Sequence, residues 1–150
     1  MIQRVQSIFL LLISLMALLC FIAPFQQINT YEVCYILNLN ISALPDKTNS
    51  YIYAPFILNC IIFLFTLISI FLFKKRKLQM KLCSLIAILS GFLSFFFLSP
   101  LYIHIKEDNN AIVNYTFATF LPFVNIVLAF IAKRFIKNDE ELIKSADRIR

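Results

Sequence analysis

Residues 52–73, IYAPFILNCIIFLFTLISIFLF, and residues 82–103, LCSLIAILSGFLSFFFLSPLYI, are uncharged runs of 22 residues on either side of the basic octet KKRKLQMK at 74–81. The hydrocarbon core of a bilayer is about 30 Å thick and takes about 20 helical residues to cross. In lipid the backbone must be satisfied within the chain, by helices or by closed barrels, and barrel strands alternate over about ten residues. These runs are continuous. They predict two membrane helices joined by a short basic turn.

Working outward, residues 7–25 and 112–132 form two further uncharged runs of 19 and 21 residues. Of the 150 residues, 61% are hydrophobic and only 15% charged, with a mean hydropathy of +0.83. A soluble domain carries about a quarter charged residues, so a soluble enzyme, a disordered chain and a disulfide scaffold are excluded. The 17 phenylalanines read as packing and lipid-facing surface rather than as a ligand cage.

The first run also has the basic start of a secretory signal, Arg4, but its apolar stretch is longer than most signal cores. No A-x-A site follows, because Pro24 succeeds Ala23, and Leu19 rather than a small residue precedes Cys20. It is read as a retained helix. The fold class expected is therefore all-α membrane, a bundle of four transmembrane helices at about 7–25, 52–73, 82–103 and 112–132. Residues 1–132 form the membrane domain and 133–150 a cytoplasmic amphipathic tail.

Cytoplasmic flanks are rich in Lys and Arg. Arg4, the cluster Lys74, Lys75, Arg76, Lys77 and Lys81, and six tail residues beginning with Lys133 and Arg134 total twelve, against only Lys47 and Lys106 on the other side. Both termini and the 74–81 turn are expected in the cytoplasm, with 26–51 and 104–111 outward. The net charge of +6 is then accounted for by topology and anionic headgroups, and no nucleic-acid partner is expected.

An ionisable residue inside a membrane helix is a functional signal; the four runs contain none, which weighs against ion-coupled transport and an intramembrane enzyme. They carry small and mildly polar residues instead. Asn114, Ala118, Pro122, Asn125, Ala129 and Ala132 share one helical face; Ala87, Ser90, Gly91 and Ser94 form a second; Asn59 and Thr66 lie two turns apart. Such stripes read as bundle interior. The sharper reading is a polar cavity at Asn59 and Asn125. Pro122 is expected to kink the fourth helix, Pro55 to lie in the first turn of the second, and Pro24 and Pro100 to mark outward ends.

The segment TYEVCYILNLN at 30–40 and YIHIK at 102–106 are rich in strand formers and are expected to pair as a small outward-facing β-structure. His104 is the only histidine, and no CxxC pair joins Cys20, Cys34, Cys60 and Cys83, so neither metal nor any other cofactor is expected. A Cys20–Cys34 bridge is compatible with their outward placement; buried thiols are the default reading.

After Ala132 the tail reads KRFIKNDEELIKSADRIR. Asn138 with Glu141 matches a capping box, Glu140 and Lys144 have the favourable i,i+4 spacing, and Leu142, Ile143, Ala146 and Ile149 make one apolar face. The face predicts either a helix lying on the bundle or lipid, or a docking helix for a cytoplasmic or membrane partner.

The opening MIQRVQSIFLLL and the closing KNDEELIKSADRIR resemble a family of small four-helix inner-membrane proteins of Bacteroidota, catalogued only as a domain of unknown function. The resemblance spans the chain, with its specific residues at the two ends. It implies a bacterial inner-membrane location and carries no catalytic residue. The functional expectation is a non-catalytic accessory or scaffold protein whose tail docks a partner. The alternative is an oligomeric carrier or channel subunit for an uncharged or lipid-like molecule, built around Asn59, Thr66, Asn114 and Asn125.

Overall fold

The computed structural model describes residues 3–28, 32–35, 49–73, 75–98 and 113–148. Its elements in chain order are α1 (Gln3–Ile22), β1 (Pro24–Ile28), β2 (Glu32–Tyr35), α2 (Asn49–Phe71), α3 (Arg76–Leu98), β3 (Val113–Tyr115), a 3₁₀ turn (Phe117–Phe120) and α4 (Leu121–Arg148). Each helix packs on its neighbours in sequence, and α4 closes the ring by packing on α1 as well as α3. One end of the bundle carries the α2–α3 turn; the other carries the strands.

Among the described residues, three helices are long and apolar enough to cross a membrane, within Ala54–Phe71, Arg76–Leu98 and Phe117–Ser145; the apolar segment of α1, Gln6–Ile22, is shorter. Their outer surfaces are apolar, with Ile22, Phe71, Phe92, Phe95 and Phe117 all more than half exposed. An apolar surface of this extent belongs against lipid or another apolar partner rather than water. The interior holds Leu10, Ile13, Ile62, Ile86, Leu93, Phe97 and Ile136, all fully buried. Stacked Phe9 and Phe135 rings (5.3 Å) tie α1 to α4, and edge-on Phe21 and Phe56 (5.7 Å) tie α1 to α2.

The strands form one antiparallel sheet in the order β2-β1-β3. Glu32–Tyr35 lies within the segment expected to be extended, but its partner differs from the expected one. Cys34 pairs with Gln26, and Gln27 pairs with Asn114 on its other side. Only three residues separate β1 from β2, so the antiparallel pairing closes a short loop at little entropic cost. Residues 102–106, with His104, lie outside the described residues. Pro24, which cannot donate a ladder hydrogen bond, ends α1 and opens β1, where the register shifts before Gln26.

Several expected helix boundaries move: α1 ends at Ile22 rather than at 25, and α3 begins at Arg76 rather than at 82, so most of the basic octet is helical and the turn is shorter than expected. Asn114 and its neighbours at 113–115 belong to β3 rather than to the fourth helix, and Tyr115 Oη donates to the Leu98 carbonyl at the end of α3 (3.2 Å). Consequently Pro122 is the second residue of α4, where its missing N–H costs nothing, and it is not a mid-helix kink. At the other end α4 runs unbroken to Arg148, so Asn138 caps nothing and the tail continues the last helix. Pro55 lies in the second turn of α2, because the helix begins at Asn49.

Candidate functional site

Tertiary packing turns the polar residues inward. Gln6, Asn59, Thr66, Ser69, Gln79, Ser90, Ser94, Thr119, Asn125 and Asp139 are all buried. Several hydroxyls satisfy themselves on their own helix: Thr66 Oγ1 donates to the Ile62 carbonyl (2.6 Å) and Ser94 Oγ to that of Ser90 (2.8 Å). Other contacts cross between helices. Asn59 Nδ2 donates to the Ala17 carbonyl (3.0 Å) and Gln79 Nε2 to the Ser69 carbonyl (3.2 Å). Bonds of this kind contribute about 0.6–2 kcal/mol each between membrane helices.

These contacts fix the levels of the helices. Asn59 lies ten residues from Ser69 along α2, and Ser90 eleven from Gln79 along α3, in the same direction from their bond. On the facing pair, Ser90 lies fourteen residues from Arg76, and Asn125 fourteen from Asp139, starting from the Arg76–Asp139 contact. At about 1.5 Å rise per residue, Asn59, Ser90 and Asn125 occupy one layer. All three are fully buried. Asn59 Oδ1, Ser90 Oγ and both polar atoms of the Asn125 amide have no hydrogen-bond partner. Such a layer supplies neutral donors and acceptors to a water or a small uncharged polar group; it holds no acid or base.

A second polar cluster sits at the turn end. Gln6 Nε2 on α1 donates to Asp139 Oδ2 on α4, and Arg76 Nη1 on α3 donates to the Asp139 carbonyl (3.1 Å). Asp139 is 5% exposed and Gln6 4%. One residue of α4 thus joins three helices beyond the end of its apolar run. The reading of 138–141 as a helix start gave Asp139 no place in the interior. A signal was present: Ala129, Ala132, Ile136 and Asp139 prolong the interior stripe at the same spacing of three to four residues.

Among the other expected site residues, Asn59, Thr66 and Asn125 are fully buried and Ala87 is 7% exposed. Gly91 departs from its stripe, since nothing lies within 4 Å of where a Cβ would stand. The buried face of α3 runs through Ala87, Ser90 and Ser94, and Gly91 falls at its edge. Gly91→Ala is therefore expected to stabilise α3 by about 0.5–1 kcal/mol through helix propensity, read as a higher thermal midpoint in detergent. An unchanged or lower midpoint would show that the glycine is needed.

Cys20, Cys60 and Cys83 are free thiols, Cys20 and Cys83 buried, so no bridge joins Cys20 to Cys34. Among the described residues no group of three or more His, Cys, Asp or Glu is placed to hold a metal. Lys75 and Lys77 are exposed at the turn, Arg76 is half-buried, and Arg134 is exposed with Lys133 half-buried on α4; Lys74 lies outside the described residues. On the last turns of α4, Leu142 is 55% and Ile143 45% exposed, while the side chains of Ala146 and Ile149 are not among those described.

A helical bundle with polar side chains buried among its core, an apolar outside and helices of bilayer length has the construction of an integral membrane protein. Within that class the chain belongs to the family described as Domain of unknown function (DUF4293), which matches residues 2–149. No curated protein and no solved structure matches it.

Proposed function

We propose that the chain is a four-span protein of a bacterial inner membrane, in a Bacteroidota lineage. In this reading both termini and the α2–α3 turn are cytoplasmic, and the sheet faces outward. It acts as a non-catalytic accessory or scaffold protein whose α4 extension docks a cytoplasmic or membrane protein. The observation that carries this reading is the exposure of Leu142 and Ile143 on a helix that has already left the apolar run. The Asp139 contacts with Gln6 and Arg76 hold that extension at a fixed direction, which lowers the ordering cost of binding.

The test is in-cell crosslinking and recovery of the full-length protein in mild detergent, beside the double variant Leu142→Glu/Ile143→Glu. A partner recovered with the wild type and lost with the variant supports docking. The same partner retained by both, or only self-crosslinks, rejects it. Ending the chain at Asn138 is a poorer test, because it also removes the Asp139 contacts.

The layer of Asn59, Ser90 and Asn125 favours a second reading, a carrier or channel subunit for an uncharged or lipid-like molecule. Its polar surface lies inside one chain rather than between copies, and Asn114 stands apart in β3. In a cell that needs the protein, a carrier fails with Asn125→Leu, whereas a scaffold tolerates that change and fails with the tail variant.

A further inference from the structure

The α2–α3 turn and the α4 extension enclose an open groove of about 730 Å³, with Phe73, Leu78 and Ile143 among its walls and Lys75, Arg76 and Lys77 along one side. The three apolar side chains are 52%, 45% and 45% exposed. No acidic residue stands in the first turn of α3, so three cations collect at the positive end of a 23-residue helix. Across the groove Glu140 is already bonded to Lys144 (3.0 Å), and the buried Asp139 carboxylate accepts from Gln6. Arg76 Nη1 donates to a backbone carbonyl, which anchors the guanidinium without neutralising it. The groove therefore combines an uncompensated positive end with an apolar wall, where the spans of α2 and α3 stop.

We propose that this groove holds the phosphate headgroup of an anionic membrane lipid, with Lys75, Arg76 and Lys77 on the phosphate and Phe73, Leu78 and Ile143 against the glycerol and first methylenes. The Leu78 and Gln79 N–H groups already donate to the Lys75 carbonyl, so a phosphate here is held by the side-chain cations and the positive end of the helix, and it offsets their like-charge crowding. The adjoining apolar surface distinguishes a lipid from a soluble anion. The inference rests on α2 and α3 being membrane spans; it shares Ile143 with the docking reading, and its test therefore alters, within the groove, Lys75 and Lys77 alone.

The test is native mass spectrometry of the full chain released from nanodiscs of phosphatidylcholine with or without phosphatidylglycerol. Retained phosphatidylglycerol is expected to fall roughly tenfold or more in Lys75→Gln/Lys77→Gln. It is expected to persist in Lys75→Arg/Lys77→Arg, and in Arg134→Gln/Lys137→Gln, which removes equal charge elsewhere. Equal loss from both glutamine variants would mean unspecific attraction and overturn the proposal, as would no loss from either. Complete displacement by inorganic phosphate would identify a soluble anion as the ligand and overturn it too. Failure of Leu142→Glu/Ile143→Glu to release a protein partner would leave the headgroup result standing.

Discussion

Asp139→Ala is expected to lower the thermal midpoint of the purified protein in detergent by roughly 5–15 °C. The substitution keeps the backbone carbonyl that receives Arg76 but removes the carboxylate that receives Gln6. The Gln6 amide is then left in a place where the residue is 4% exposed. Losing the bond and stranding its donor costs about 2–4 kcal/mol, and for a chain of this size each kcal/mol moves the midpoint by about 2–4 °C. The double variant Gln6→Leu/Asp139→Leu is expected to recover most of the loss, since no buried donor remains without an acceptor. A midpoint for Asp139→Ala indistinguishable from wild type would mean that the contact does not join α1 to α4.

Asn125→Leu is expected to act in the opposite direction. The side chain is fully buried and neither amide atom has a hydrogen-bond partner, so the folded state bears its desolvation without return. Leucine keeps the branched, four-heavy-atom side chain and has no polar atom. The gain is about 1–3 kcal/mol, seen as a higher thermal midpoint. Asn59→Leu is expected to lower it, because Nδ2 of that residue bonds the Ala17 carbonyl. If Asn125→Leu instead lowers the midpoint, the amide is serving a bound molecule, and the carrier reading gains over the scaffold.

The pair α2 and α3 could be read directly because run length and absence of charge are local properties; the extent of the turn could not, since 76–81 is already the start of α3. The buried stripes were legible for the same reason: the helical period places Asn59 with Thr66, and Ala118 with Pro122, Asn125, Ala129 and Ala132, wherever the helix ends up. The small strands were only half legible. Glu32–Tyr35 has the residues of a strand, but VNY at 113–115 abuts an apolar run and reads as helix until a neighbouring edge offers it hydrogen bonds. That edge, β1, is split in the sequence reading between the end of the first helix (24–25) and the outward loop (26–28).

The tail shows the same division. Asn138, Asp139, Glu140 and Glu141 have the composition of a helix start, and nothing within 133–150 contradicts it. Whether a cap forms depends on whether the preceding residues leave the helix, and here Ile136 and Asp139 are held in the bundle by α1 and α3. The apolar runs, most of the inward faces and the division of charge along the chain are legible in the residues alone, since each follows from periodicity and transfer free energy within one segment. The continuity of α4, the interior place of Asp139 and the shared level of Asn59, Ser90 and Asn125 are not legible there. Those depend on the register between helices, which is set by contacts among residues far apart in the chain.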